Sequence, residues 1–201
     1  MAGKILVSTA YLPPVTYFSL LSAADEVLIE REENYIKQTY RNRCYILSAS
    51  GPHILSVPVL TGSFHKTAVK DIRIDYSKRW QQIHLRAMTA AYNSSPYFEY
   101  YFESFEQIIS ASPDFLLDLN MELISVACKS LRIDTPITYT THFEPVTTRT
   151  ADFRYTFTPK KKEQGEFREY LQVFQHGKGF VPGLSIADLI FNMGPDSYQY
   201  L

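Results

Sequence analysis

The sequence is short of the residues that mark the commonest specialised chemistries. It has two cysteines, Cys44 and Cys128, far apart and in no metal-ligand spacing. That excludes a disulfide framework and a cysteine zinc site, and it points to a reducing compartment. It has eight glycines and none of the glycine-rich phosphate loops: no G-x-G-x-x-G and no G-x-x-x-x-G-K-[ST]. The G-x-S-x-G and H-E-x-x-H signatures are missing too. Five histidines, His53, His65, His84, His142 and His176, are scattered without ligand spacing, so no metal site is read and no cofactor is assigned. No stretch reaches the roughly 18 apolar residues of a spanning helix. The apolar run at Ile5 to Val7 is broken at once by Ser8 and Thr9, too short for a secretory signal. A cytoplasmic protein is expected. Charge of one sign is lacking as well: 20 cations face 21 acids, a formal net charge of −1. No global field draws the chain to nucleic acid.

What is plentiful is tyrosine, 15 against a single tryptophan. Tyrosine joins a large apolar ring to a polar tip, so it serves cores, grooves and interfaces alike. The 201 residues favour one domain able to bury a full core.

Read in order, the chain gives an α/β (or α+β) fold with an N-terminal βαβ, Rossmann-like unit. Residues 4–11 form a buried strand around the apolar run Ile5 to Val7, 15–24 a helix and 26–30 a second strand. Residues 41–49 and 53–59 alternate around Ser50-Gly51-Pro52 and predict a β-hairpin. A loop at 61–66 and a short alternating strand at 69–74 follow. Three consecutive helices are predicted at 79–93, 97–110 and 115–131, with start signals at Ser77, Ser95-Pro96 and Ser112-Pro113-Asp114. Residues 136–141 read as a strand, and 143–162 as an irregular crossing segment. Residues 167–174 are strand or helix. A last helix opens with a capping-box pair, Ser185 and Asp188, and stops at Gly194-Pro195. The division is 1–76 (βαβ and hairpin, contributing to a mixed sheet), 77–132 (helical) and 133–201 (mixed), within a single domain over 1–201.

Three constellations carry chemistry. The densest is Lys37, Tyr40, Arg41, Asn42 and Arg43, which follows the acidic run Glu30-Arg31-Glu32-Glu33. It starts just beyond the second strand, near the carboxyl edge where open α/β sheets bind ligands. Tyr11 lies at the same edge, at the carboxyl end of the first strand. If 40–43 is extended, Arg41 and Arg43 share a face about 7 Å apart and fork around a phosphate or carboxylate. The bland alternative is a solvated edge, or pairing to Glu30, Glu32 and Glu33. The second constellation is Trp80 and His84, four apart on a helix: a stacking platform beside a proton acceptor, or ordinary packing. The third is Asp152, Arg154 and Lys160-Lys161-Lys162 with His176-Gly177-Lys178-Gly179, an anion-holding segment or a solvated loop.

These features in this order resemble the WbqC-like family of bacterial proteins. The resemblance rests on Ser8-Thr9-Ala10-Tyr11-Leu12-Pro13 with Tyr17-Phe18, on Ala24-Asp25, and on Lys37 with Tyr40 to Arg43. It continues through Leu55 to Val59, Trp80 with His84, Tyr92 with Ser95 to Phe98, and Leu184 to Leu189. It implies a cytoplasmic protein associated with O-antigen and other surface-polysaccharide biosynthesis, in the role of a transferase placing glycine or another acyl group on a sugar. Arg41, Arg43 and Lys37 would then hold an anionic donor group. Tyr40 and Asn42 would orient the acceptor, His84 would be the general base, and Trp80 would stack on a sugar ring. Many members carry a His and a Pro where this chain has Val7 and Thr9. That leaves three readings: His84 does the work, the chemistry needs no histidine, or the chain binds a sugar nucleotide or anionic metabolite without turnover. The partner is thus a small anionic or sugar-containing ligand, and homo-oligomerisation stays open.

Overall fold

The computed structural model describes residues 3–60, 66–145, 150–159, 168–175 and 179–201. The first strand, β1 (Lys4–Ser8), leads through a turn to helix α1 (Val15–Ser22) and then to β2 (Glu26–Glu30). β1 and β2 pair in parallel, so the βαβ unit is present. Pro14 ends the turn and stands at the N-cap of α1, where its missing N–H costs nothing.

The parallel sheet gains its two outer strands from much later in the chain. β5 (Ile137–Tyr139) lies on the free edge of β2, and β6 (Ala151–Asp152) lies on the free edge of β1, both parallel. Between β2 and β5 come the hairpin β3 (Arg43–Ser48) and β4 (Gly51–Ser56), and the helices α2 (Trp80–Tyr92), α3 (Phe98–Ser110) and α4 (Leu116–Ser130). The hairpin is antiparallel and forms its own two-stranded sheet, so parallel and antiparallel pairings fall in separate sheets. Helix α5 (Ile186–Met193) and a 3-10 helix (Gly194–Tyr200) close the described chain.

Strand periodicity explains where the core sits. Ile5, Val7, Val27 and Ile29 share one face of the parallel sheet and are all buried in the core. The register puts Leu6 beside Leu28, Ser8 beside Glu30, and Leu6 beside Asp152 on the opposite face. That second face is the polar one, and it carries the charged cluster described below. Helix α5 is buried along almost its whole length, and Phe191 contacts Tyr92, Phe98, Phe102 and Phe105.

Several expectations need correction. Residues 69–74 alternate like a strand, but they form a 3-10 turn over Val69–Asp71 with two isolated bridges, Val59 to Ile74 and Arg73 to Phe115. The serines expected to cap α2, α3 and α4 do not. The N-caps are Arg79, Tyr97 and Phe115, and none makes a side-chain cap bond. The capping box at α5 is half made. Ser185 accepts from the Ala187 amide, but its own N–H donates to the Tyr45 carbonyl, so Asp188 has no cap donor to reach. The described part of 143–162 contains β6. Residues 168–175 are neither strand nor helix. Parts of three expectations lie outside the described residues: 61–65 of the loop, 160–162 of the lysine cluster, and 176–178.

Candidate functional site at the carboxyl edge of the parallel sheet

Ser8 ends β1 and Glu30 ends β2, side by side in register. Just past β2 comes Glu33, and just past β6 comes Arg154. Each strand therefore delivers a polar side chain to the same edge. Glu30, Glu33, Arg41 and Arg154 are all almost completely buried, at 1%, 1%, 3% and 1% relative exposure. Burial on that scale requires every charge to be paired.

The pairing is extensive. Arg41 donates Nε to Glu33 Oε1 at 2.8 Å and Nη2 to Ser8 Oγ at 2.6 Å. Ser8 Oγ passes its own proton to the Arg154 carbonyl at 2.8 Å. Arg154 donates Nη1 to Glu30 Oε2 at 3.1 Å, and it grips Asp152 with Nε and Nη2, the latter at 2.6 Å. Glu30 Oε1 accepts from Thr140 Oγ1 at 2.7 Å and from the Glu32 amide at 2.9 Å. The Arg154 guanidinium also lies over the Phe143 ring and reaches the Pro145 carbonyl. Three carboxylates thus meet two guanidiniums, leaving one net negative charge. Hydrogen bonds from Arg154 hold the Asp152 carboxyl below its usual range. Burial pushes Glu33 up, against the pull of Arg41.

The segment after β2 is a turn, not an extended edge. Gln38 takes φ 59°, and the Asn42 amide donates back to the Thr39 carbonyl. The expected fork of Arg41 and Arg43 therefore does not form. Arg41 turns inward to Glu33, one of the acids anticipated as its partner. Arg43 opens β3, half-buried, and its Nε is buried with no acceptor. Tyr40 and Asn42 are buried, and Lys37 is exposed. The Asn42 amide group donates to the Val57 carbonyl. Asn120, which belongs to none of the three constellations, donates to the Arg41 carbonyl and to Thr9 Oγ1.

Unpartnered atoms concentrate here. Among the described residues, Glu33 Oε2, Asn42 Oδ1, Arg43 Nε and Asn120 Oδ1 are buried side-chain atoms with no protein partner. Folded proteins pair most such groups. Three of these four atoms are acceptors. All are sealed from solvent, so a partner reaches them only when the segment shifts.

Tyr11 joins this edge to the second constellation. Its amide donates to the Tyr40 carbonyl, and its hydroxyl meets His84 Nδ1 at 2.8 Å. Burial lowers the His84 pKa to about 4, against a hydrogen bond with the Ser56 backbone that raises it. Trp80 packs edge-on against His84 and beside Tyr76, with 3% exposure and no open face. The turn between Tyr11 and Pro13 is strained, with Leu12 at φ 42°.

A cavity of about 360 Å³ adjoins the cluster on the polar face of the sheet, with Glu30, Thr140, Thr141, His142, Glu144 and Thr150 among its lining. No group of histidine, cysteine and carboxylate side chains among the described residues could hold a metal ion. No helix among them is long and apolar enough to cross a membrane.

The sequence model of the WbqC-like protein family matches residues 9–164. That span takes in the turn after β1, the 33–43 segment, all three central helices and Arg154. An uncharacterised protein of Mycobacterium tuberculosis, Rv1507c, is 26% identical over 231 aligned positions, covering 100% of this chain and 98% of that one. No solved structure matches the chain. The chain belongs to the WbqC-like protein family.

Proposed function

We propose that this WbqC-like protein is a group transferase of bacterial surface-polysaccharide biosynthesis, placing an acyl or aminoacyl unit on a sugar amine or hydroxyl. One observation carries the reading. Six polar side chains, Ser8, Glu30, Glu33, Asp152, Arg41 and Arg154, converge at the carboxyl ends of β1, β2 and β6. That edge is where open α/β sheets bind ligands. The net negative charge and the unpartnered acceptors favour a ligand that donates hydrogen bonds, as an amine or a sugar hydroxyl does.

Roles follow from burial. Arg41 and Arg154 are committed internally and act as positioning residues, as does Asp152. Arg43, half-buried, and Lys37, at the surface, are the cations placed to meet an anionic donor group. Tyr40 and Asn42 brace the segment that carries them. His84 and Trp80 support the Tyr11 turn from behind, and His84 acts through the Tyr11 hydroxyl.

The burial of His84, with Nδ1 held against the Tyr11 hydroxyl, favours a second reading, binding of a sugar nucleotide or anionic metabolite without chemistry. One experiment separates the two. Purified protein is screened by thermal shift against amino sugars, sugar nucleotides and activated acyl donors, and the mixtures are read by mass spectrometry. A ligand at 100 times its dissociation constant adds about 2.7 kcal/mol of stability. An acylated sugar among the products supports the transferase. A ligand that stabilises the protein and is never consumed supports the binder. In Arg43→Ala most of the donor-induced stabilisation disappears, while circular dichroism stays unchanged. Unaltered donor affinity in that variant removes Arg43 from the site.

A further inference from the structure

The cavity beside Glu30 has a composition of its own. Its floor is aliphatic: Leu6 of β1 and Leu28 of β2 are partners in register on the polar face. Its rim is hydroxyl-bearing and ionisable, with Thr140, Thr141, His142 and Glu144. A volume of about 360 Å³ is in the range of small-ligand sites. An aliphatic floor under a ring of hydrogen-bonding groups complements a carbohydrate ring, which has apolar faces and a hydroxyl edge.

The charges in the wall are not equivalent. Glu30 accepts from Thr140, Glu32 and Arg154, so it anchors the wall. Lys4, at the opposite end, is bridged to Glu26 at 2.8 Å. Glu144 and His142 form a pair, with Nε2 2.9 Å from Oε1, and the Thr141 hydroxyl lies 3.1 Å from Nδ1. A carboxylate at Nε2 keeps the proton on that nitrogen and leaves the Nδ1 lone pair to accept. Both groups are largely exposed, so a ligand in the cavity reaches them without unfolding anything. An anionic ligand would meet two carboxylates there, and an amine meets acceptors.

We infer that this cavity is the acceptor subsite, that it takes a small polyhydroxylated amine, and that His142 backed by Glu144 receives the amine proton. The inference rests on the transferase reading and adds the acceptor class and a catalytic residue. In the step, the acceptor nitrogen forms a bond to the carbonyl carbon of an activated acyl donor, a thioester or acyl phosphate. The bond from that carbon to sulfur or phosphate oxygen breaks, and its electron pair leaves with the thiolate or phosphate. The proton lost by nitrogen passes to His142 Nδ1 in place of the Thr141 hydrogen bond, and then to solvent.

The test begins without any donor. Glucosamine and glucose are titrated into the full chain while the imidazole resonances are followed by NMR, with His142 assigned through His142→Ala. Glucosamine should shift the His142 signals saturably, and glucose should bind at least fivefold more weakly. Glu144→Gln should weaken glucosamine at least fivefold with circular dichroism unchanged. A titration that leaves His142 unmoved overturns the subsite. Equal affinity in Glu144→Gln overturns the role of the pair. With donor added, His142→Ala should lower kcat about 100-fold, within the range of a lost general base. Full turnover in His142→Ala overturns the proton-accepting role and leaves the transferase standing. Glucosamine binding with no product from any donor leaves the subsite standing and removes the transferase.

Discussion

Asp188 is an ionisable carboxyl with no exposed surface at all. Its Oδ2 accepts from the Tyr170 hydroxyl at 2.7 Å and from the Gln172 amide at 3.2 Å. Burial outweighs these bonds and raises its pKa from 3.8 to about 6. His84 is displaced the other way, from 6.5 to about 4. The two act oppositely on stability. The stability tied to protonated Asp188 is fully present below pH 3.8 and is lost as pH rises through 6. The stability tied to neutral His84 is present above pH 6.5 and is lost as pH falls through 4. Between those limits each contributes a slope of up to about 1.4 kcal/mol per pH unit, and the two nearly cancel. Removing either should unmask the other. In urea unfolding at pH 4, 5, 6 and 7, Asp188→Asn should lose stability on acidification more steeply than the wild type. His84→Gln should shift the slope in the opposite direction. A slope in Asp188→Asn equal to that of the wild type would show that this carboxyl does not titrate in the window. Neither role was legible in the sequence. Asp188 stands at a capping-box position, and only the folded chain reveals that Tyr45 takes the amide it would have capped.

At the level of elements, long periodic segments were readable and local chemistry was not. The three central helices fall within one or two residues of their expected limits, because apolar stripes over 13 to 15 residues are unambiguous. Their caps were misread because serine has other uses. Ser95 is buried and its hydroxyl donates to Asn192 of α5, while Ser112 takes φ 59° and bonds the Ser110 carbonyl. Residues 69–74 are too few to tell a period of two from a period of three. Val69 and Ile72, three apart, are buried on the inside of the turn. Residues 168–175 show no pattern because side chains do the pairing there: Gln172 both donates to the Val181 carbonyl and accepts from its amide. The stop at Gly194-Pro195 was readable, and its physical reason is stricter than a helix end requires. Gly194 has φ 52° and ψ −125°, and a Cβ there would come within 2.4 Å of the Tyr97 ring. Gly194→Ala should therefore cost about 3 kcal/mol or more, combining backbone strain with overpacking. Chemical denaturation measures it. A loss below about 1 kcal/mol would mean that Tyr97 moves aside freely.

At the scale of the whole molecule, Arg154 is the side chain that ties the most distant parts of the chain together. Its guanidinium contacts β2 through Glu30 and β6 through Asp152 and touches the 143–145 segment, while its backbone carbonyl accepts from Ser8 of β1. Removing one partner of a buried ion pair typically costs about 3–5 kcal/mol, because the other charge is left uncompensated. Arg154→Ala should lose about that much, and hydrogen exchange should rise first in β6 and around Thr140. Uniform exchange across the sheet would show that the cluster does not hold the edge strands. The sequence named Arg41, Asp152 and Arg154 as site residues, but in separate groups and with solvent-facing roles. Their junction depends on β6 returning to β1, a pairing two residues long that no periodicity announces. That same return sets the order in which the protein can be made. β1 and β2 leave the ribosome first, and the strands that cover their two edges follow much later, the last of them about 120 residues after Glu30. At about 5–20 residues per second, the nascent pair waits roughly 6–25 seconds with both flanks open to other chains. Chaperone occupancy on the nascent chain should therefore persist until β6 has emerged, and synthesis rate should govern yield more than final stability does.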